Sequence, residues 1–547
     1  MTDRSLRRFR PDATAGVVLG VESVPDGLAS GVLAGVNPVA GLYGYLFGMV
    51  GAAAFTSSTF MAVQATGAMS LVVADTDLAS RPDPERALFT LSVLTGVVMV
   101  VAGLLRGGRM LRFVPTAVMT GFVSAVGVNI VLGQLSNFSG YDSDAPNRVL
   151  RALDLALHPW RADLGSVAVG AVTIVLILVL ERTRIGSFGL VVAVVVGSAI
   201  PAVLTPDVAL VSDLADLPGA LPAPRLPVLG DVLVLAVPAL SLAFVGLVQG
   251  AAVSAGIPNP DGRRSDTSRD FVGQGAGNLM SGIFQGMPVG GSMSASALVH
   301  AAGARSRVAF FVAGVTMAVV ILLLSDLVGR VAMPSLAALL IVVGIRTVKP
   351  AAVLSVVRTG ALQVTVLAVT FALTLVVPLQ FAVVIGVGLA IVLHVANQSN
   401  RVTLRAVEFL PDGRYREGDP PEVLPAGAVV TLQPYGSLFF ASAPVLEQQL
   451  PRITPEGSGS VVILRLRGVD QLGLTLIDVL RRYAADLEAH GGRLKLVLGN
   501  ERALRQLRAE GLVDQLGQQH VYVGTEWLGE TVRRAHDDAV EEQRGSA

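Results

Sequence analysis

Apolar character runs almost unbroken from Ala13 to about Asn397 and then stops. A bilayer span needs about 20 apolar residues. The clearest candidates are Leu88–Leu105, Val114–Leu135, Val167–Leu180, Phe188–Leu204, Val232–Ala255, Val308–Leu327, Leu336–Ile345, Leu362–Val377 and Phe381–Ala396, with Ala13–Gly35 and Val39–Phe55 as a first pair. Met61–Ala74, Phe271–Phe284 and Val289–Ala302 are shorter or rich in Gly and Ser, and hydropathy alone leaves them open. Past Asn400 the pattern changes to short apolar runs and amphipathic stretches. Val429–Leu432, Val461–Leu466 and Leu494–Leu498 read as buried strands, Leu474–His490 and Glu501–Glu510 as helices, and the polar tail 536–547 as disordered.

Charge resolves the count. With fourteen spans, most basic residues fall on one side, among them Arg4, Arg7, Arg8, Arg10, Arg106, Arg182, Arg263, Arg305, Arg307, Arg346 and Lys349. The loops on the other side are acidic, with Asp75, Asp77, Asp83, Glu85, Asp142 and Asp144. The positive-inside rule then puts both termini in the cytoplasm of a multi-pass cell-membrane protein. The polar stretch Pro206–Asp231 splits the spans into two sets of seven. Seven is odd, so the halves lie in opposite orientations, the inverted-repeat logic of secondary transporters. The expected organisation is a cytoplasmic segment 1–12, a membrane domain 13–398 (repeats 13–205 and 231–398), and a small α/β domain 425–535 ahead of the tail.

Composition agrees. Apolar residues make up 52% of 547 positions and charged ones 15%, with a mean hydropathy of +0.64, against about 25% charged residues in soluble domains. The net charge is zero, so no nucleic-acid partner is implied. Cysteine is absent, which removes disulfides, thiolate metal sites and cysteine nucleophiles. There is no Walker loop, HExxH or triad arrangement, so neither an enzyme nor a cofactor is expected.

Two stretches interrupt the apolar pattern with Gly, Pro and polar residues, Val24–Ser30 and Gly286–Ser296. Paired broken segments in the two halves of a membrane protein mark a transport site, because irregular backbone at membrane depth must line a cavity or be buried in protein. Glu22 and Asp26 lie one helical turn apart on one face of the first span. Glu22 is ten residues past Asp12, roughly 15 Å along the helix. No Arg or Lys lies mid-span, so a proton, a cation such as sodium, or an amide such as Gln249 must partner these acids. Ser292, Met293 and Ser294 follow Pro288 and the pair Gly290-Gly291, a sequence able to start a helix with free N–H groups suited to an anion. Close packing by small residues is the plainer explanation of the same composition. Gln64, Asn129, Gln274, Asn278, Gln285 and His394 read more readily as interhelical hydrogen-bonding residues than as ligands, and His300 as structural.

Three motifs in order carry a resemblance: Arg10–Gly16, Val24–Ala29 and Leu33–Tyr43. With Gly286–Ala304 and a C-terminal domain that looks like a STAS domain, they resemble the SulP anion permeases (solute carrier family 26 in animals) over nearly the whole chain. The resemblance implies an all-α polytopic fold of fourteen spans in a seven-plus-seven inverted repeat, with core and gate subdomains, usually dimeric, followed by the α/β STAS domain. In that fold the third and tenth spans are half-helices meeting at the substrate, so Gln64, Ala65 and Thr66 would face Gly291, Ser292, Met293 and Ser294. This chain departs from the family at the site. Asp26 stands where the first span usually has Gln. Gln249, in Val248-Gln249-Gly250, replaces the eighth-span Glu. Ala295 replaces the tenth-span Arg, and Gln64-Ala65 the third-span Gly-Pro. In the STAS-like domain Asp470-Gln471-Leu472-Gly473 lacks the phosphorylatable serine found in bacterial relatives, so a scaffold role is expected.

The resulting expectation is a secondary transporter of a small anion (bicarbonate, sulfate or a small dicarboxylate), coupled to a proton or sodium and moving as an elevator. Asp26, Glu22 and Gln249 would hold the coupling cation, and Asp26, Gln64, Ala65, Thr66, Gln249, Gly291, Ser292, Met293 and Ser294 the substrate. The alternatives are a nucleobase permease of the same fold, against which Gln249 and Ala295 speak, and a membrane-anchored sensor signalling through the STAS-like domain.

Overall fold

A computed structural model gives the arrangement of these segments. It describes residues 3–108, 114–183, 188–200, 208–214, 219–263, 265–377, 379–410, 414–455, 458–466, 469, 472–527 and 529–546. Asp470 and Gln471 lie outside the described residues. The chain divides into two units, Met1–Gly388 and Leu389–Ala547.

In the first unit one order of elements occurs twice. The first half holds α1 (Asp3–Leu33), α2 (Pro38–Phe55), β1 (Ala62–Gln64), α3 (Gly67–Ala74), α4 (Pro84–Leu104), α5 (Thr116–Ser139), the surface helix α6 (Arg148–Leu157), α7 (Leu164–Leu180) and α8 (Phe188–Ala199). The second holds α9 (Val232–Gly256), α10 (Thr267–Ile283), β2 (Gly290–Ser292), α11 (Met293–Ala301), α12 (Val308–Leu323), a short extra turn α13 (Ser325–Gly329), α14 (Met333–Thr347), the surface helix α15 (Pro350–Thr359), α16 (Ala361–Val376) and α17 (Leu379–Ser399). Among the described residues six helical stretches are long and apolar enough to cross a bilayer. The doubtful segments now have a cause. Met61–Ala74 and Val289–Ala302 each join a short strand to a short helix, with the strands buried in protein, so neither segment needs the length of an apolar span.

Packing respects the repeat. α1 lies against α12, and its counterpart α9 against α4; α4 packs on α10, and α12 on α2. A second group forms separately, with α5 against α14 and α16, and α14 against α7. This exchange of partners is what a pseudo-two-fold axis produces. Two carboxylates belt one end of the first group. Asp12 accepts from the N–H groups of Arg305 (2.6 Å) and Ser306 (2.9 Å) and from the Ser306 hydroxyl (2.6 Å). Asp270, fully buried, accepts from Ser57 N–H (2.7 Å), Ser58 N–H (2.9 Å) and the hydroxyls of Ser57 (2.8 Å) and Ser254 (2.6 Å). A buried carboxylate is tolerated when donors surround it in this way.

One expectation is corrected. Val24–Ser30 is not a broken segment; α1 runs as one helix through Pro11 and Pro25. The small residues there serve contact instead. A Cβ on Gly41 of α2 would lie 1.9 Å from the carbonyl oxygen of Gly27, so the two helices touch backbone to backbone. The partner of Gly286–Ser296 is Ala62–Thr66.

The second unit is built on a six-stranded sheet of order β4-β3-β5-β6-β7-β8. β3 (Thr403–Phe409) pairs antiparallel with β4 (Tyr415–Gly418) and β5 (Val429–Tyr435), while β5, β6 (Val461–Leu466), β7 (Arg493–Leu498) and β8 (Val521–Val523) run parallel. Strands buried on both faces explain why β6 is wholly apolar apart from Arg465. Val462, Leu464 and Leu466 pack with α19 (Leu474–Ala489) and its neighbours α18 (Ala443–Gln449), α20 (Glu501–Ala509) and α21 (Leu512–Leu516). Val461 and Ile463 point the other way, onto Val532, Ala535 and Ala539. Those three lie on α22 (Glu530–Ser546), so the disordered tail expected over 536–547 is corrected: it is helical through Ser546 and docked. Its polar residues hid the apolar stripe, and Glu542 reaches the buried Lys495 at 2.9 Å. The sheet also begins earlier than the expected 425, since β3 starts at Thr403.

Candidate functional site

The site is organised by the pairing of β1 with β2. The two strands run antiparallel, with Ala62 opposite Ser292, Val63 opposite Gly291 and Gln64 opposite Gly290. Each strand feeds a short helix, so the N-termini of α3 and α11 are brought toward one another from the two halves. Each has a hydroxyl cap. Thr66 Oγ1 accepts from Met69 N–H (3.4 Å), and Ser292 Oγ from Ala295 N–H (3.3 Å). Helix N-termini carry partial positive charge and unsatisfied N–H donors.

Buried amides lock the strand leading into α11. Asn278 brackets Val289, donating to its carbonyl (2.6 Å) and accepting from its N–H (2.9 Å). Gln274 Oε1 accepts from Gly291 N–H (3.0 Å), and Ser281 donates to Met287 O (2.6 Å). Ser296 Oγ accepts from Ala62 N–H (2.9 Å), joining α11 to β1. Glycine is required where β2 meets α9: a Cβ on Gly291 would lie 2.6 Å from the Cα of Gly250.

The predicted residues fall into two sets. Thr66 and Gln249 come together, the Thr66 hydroxyl donating to Gln249 Oε1 at 2.8 Å. Asp26, Thr66, Gln249 and Met293 are half-buried and Ser294 is exposed, although the segments around them are mostly buried. Ser292 adjoins this partly exposed set, its hydroxyl 3.2 Å from that of Ser294. Among the described residues Asp26 has no hydrogen-bond or ion-pair partner, and Glu22 Oε2 is buried without a hydrogen-bond partner. Gln64, Ala65 and Gly291 are buried instead. Gln64 donates to Ser23 Oγ (2.8 Å) and touches Met49 Sδ, pinning β1 to α1 and α2. Ala65 contributes its carbonyl, which accepts from Tyr45 (2.9 Å) and Ser30 (3.4 Å).

Asn129 donates to Thr374 O (2.7 Å), an interhelical tie, whereas Gln285, outside any helix, donates to the loop carbonyl of Ala223 (2.7 Å). His300 stacks edge-on against Phe60. His394 is exposed. Tyr45, Ser30 and Asp270 were missed. Only an acid in the first turn of a glycine-rich helix could have flagged Asp270. Among the described residues no three His, Asp or Glu side chains gather as a metal site.

Comparison with known proteins places this geometry. The profile described as "Sulfate permease family" matches residues 9–370, and the profile described as "STAS domain" matches residues 421–535. The putative sulfate transporter YvdB of Bacillus subtilis is 26% identical over 524 residues, 95% of this chain and 97% of that protein. The bicarbonate transporter BicA of Picosynechococcus is 26% identical over 405 residues, 72% of this chain and 71% of that protein. In three dimensions the chain is similar to murine Solute Carrier 26 family member A9, an anion transporter solved in the inward-facing state, with a TM-score of 0.82 at 19% identity, covering 98% of this chain and 91% of that one. The transmembrane domain of a cyanobacterium BicA matches with a TM-score of 0.61 at 23% identity, covering 70% of this chain and 98% of that one. These relatives are transporters and not enzymes. The chain therefore belongs to the sulfate permease family, with a membrane domain built on an inverted repeat and a STAS domain at its C-terminal end.

Proposed function

We propose that the protein is a secondary transporter that holds a small anion between the N-termini of α3 and α11. The observation that carries this reading is the β1–β2 pairing, which converges two hydroxyl-capped helix N-termini beside the partly exposed Gln249, Met293 and Ser294. Two positive dipole ends with free N–H donors suit an anion and supply no full positive charge. That favours a weakly held, releasable ligand. The relatives' names make sulfate and bicarbonate the first candidates, and a small dicarboxylate, as another small oxyanion, is the third.

Transport proceeds by an elevator movement of the group α1–α4 with α9–α12 against the group α5, α7, α8, α14 and α16. Import of an anion against an inside-negative potential costs about 2.3 kcal/mol per charge per 100 mV. A proton or sodium ion on Asp26, with Glu22 one turn away and Gln249 across the site, offsets that cost. The protein works as a homodimer with both termini in the cytoplasm, on the side where its basic loops cluster.

The test is tracer uptake by full-length protein in proteoliposomes. Labelled sulfate, bicarbonate and fumarate are offered with and without a sodium gradient and a pH gradient. One of them accumulates, and does so only with a cation gradient. If all three fail to enter and to exchange, the assignment is wrong.

A further inference from the structure

The two half-helices are repeat counterparts, yet they are not covered alike. α3 is buried from Ala68 to Val73. It packs on α5 of the other helix group, where a Cβ on Gly67 would lie 2.4 Å from Ile130 Cδ1. α11 packs on α1 and α9 of its own group and leaves Ser294, Ala297 and His300 exposed. A histidine at membrane depth faces protein or a water-filled cavity, so the exposed face of α11 meets water and not lipid. α3 runs toward the acidic loops with Asp75, Asp77 and Asp83, and α11 toward the basic loop with Arg305 and Arg307. The seam between the groups is therefore closed at the acidic end and open at the basic end.

An ion pair lies on the closed side. Asp75 caps the C-terminal end of α3, and Arg148 is the first residue of the surface helix α6. Arg148 Nη2 lies 2.9 Å from Asp75 Oδ1, with the two side chains only 24% and 16% exposed. Asp75 belongs to the first group, whereas α6 is fixed to the second. α6 packs on α5, and a Cβ on Gly133 of α5 would lie 3.6 Å from Arg148 Cδ. Asp154 of α6 accepts from the hydroxyls of Tyr141 (2.9 Å) and Ser143 (2.6 Å), just past the end of α5. The pair thus crosses the seam. An exposed ion pair is worth little because water competes for both charges. Here most of each side chain is shielded, so removing one partner strands the charge of the other.

The second half has no equivalent. Ala302 caps α11 where Asp75 caps α3, and Lys349 precedes the surface helix α15 as Arg148 begins α6. No acid occurs from Met293 to Ser325. The repeat offers a cation at both ends of the seam and an acid at one.

We propose that Arg148 and Asp75 form a one-sided latch that holds the acidic end of the seam shut and makes the state open at the basic end the more populated one. This rests on the elevator reading above and deepens it by naming the contact that biases the movement. Opening the acidic end carries α3 away from α5 and parts the pair. α11 brings no acid to Lys349 to offset the loss. Both latch residues are positioning residues, and neither touches the anion.

The experiment uses the absence of cysteine from the chain. Single cysteines are placed at Ala297, exposed on α11, and at Ile130, 2% exposed against Gly67. The full-length protein in lipid nanodiscs, where both faces meet solvent, is labelled with a charged maleimide. Without further changes Ala297→Cys reacts fast and Ile130→Cys slowly. Arg148→Gln and Asp75→Asn each speed labelling of Ile130→Cys about tenfold, an ordinary size for a conformational coupling, and do not speed that of Ala297→Cys. The double variant shifts no further than either single one, because one contact is lost in all three. Unmoved Ile130→Cys rates in both single variants overturn the proposal. So does faster labelling at both reporters, which is general loosening, and so do additive shifts in the double variant. Arg148→Gln and Asp75→Asn are independent, so the test stands if one of them does not fold. Exchange of sulfate, bicarbonate and fumarate by the same variants in vesicles is read separately. Absence of all exchange with the labelling shifts intact counts against the transport reading, and unmoved labelling with exchange intact counts against the latch alone.

Discussion

The Thr66 hydroxyl donates to Gln249 Oε1 at 2.8 Å, tying the cap of a half-helix from one repeat to a full helix of the other. The same oxygen of Thr66 accepts from Met69 N–H. One side chain therefore fixes both the start of α3 and the orientation of the Gln249 amide.

Thr66→Val keeps the shape and removes both bonds. A hydrogen bond contributes about 0.5–1.5 kcal/mol and a cap about 1 kcal/mol. The substrate concentration for half-maximal exchange should rise roughly tenfold, at about 1.4 kcal/mol per decade. Thr66→Ser should stay close to wild type. Equal constants for the Val and Ser variants would mean the bond only supports the fold.

Ser292 and Ser294 present adjacent hydroxyls at the start of α11. Ser292→Leu and Ser294→Leu place a branched apolar chain at the start of α11, where the anion is proposed to sit. Uptake should vanish in both. Melting temperature should fall only for Ser292→Leu, which also loses a cap of about 1 kcal/mol. Wild-type uptake by folded Ser294→Leu would remove that residue from the site.

The proposed coupling site sets an acid, Asp26 on α1, against an amide, Gln249 on α9. Asp26→Asn should therefore abolish uphill accumulation while equilibrium exchange persists, as read by tracer uptake with and without a gradient. The double variant Asp26→Gln with Gln249→Glu should regain part of the accumulation. Undiminished, equally cation-dependent accumulation by Asp26→Asn would reduce Asp26 to a structural acid.

His520, buried at the edge of the STAS sheet, gives a pH prediction. Burial above all holds its imidazole below the usual 6.5; Glu542 opposes this, and Lys495 and Arg493 add to it. A histidine with a lower pKa folded than unfolded favours folding when neutral. Its contribution is thus complete above about pH 6.5 and is lost as pH falls through the folded value. The thermal transition of the STAS domain in the full-length protein should drop between pH 7 and pH 5. His520→Gln should flatten that dependence, and an unchanged slope would place the titrating group elsewhere.

Much of this molecule is written locally. Apolar run lengths, the one-sided basic loops and the polar break at Pro206–Asp231 determine a polytopic membrane protein in two halves. The all-apolar run at Val461–Leu466 and the Gly491-Gly492 stop after an amphipathic helix determine an α/β domain behind it. These are properties of windows of ten to twenty residues, and hydropathy and helix period read them directly. The site is a different matter. Pro25 and Gly27 suggested a broken helix, yet α1 is continuous. One missing N–H is tolerated there, and Gly27 serves a contact with Gly41, a residue fourteen positions away. The real pairing, Ala62–Gln64 with Gly290–Ser292, joins segments more than two hundred residues apart through backbone hydrogen bonds that carry no side-chain signature. In the same way the polar tail became a docked helix only because β6 and β7 expose a second apolar face to cover. The sequence determined which chemistry is available: two unpaired acids, hydroxyl caps and an amide. Only the tertiary structure decided that Thr66 meets Gln249, that Gln64 is spent on Ser23, and that Arg346 is held by Glu181, because those contacts depend on how distant helices pack.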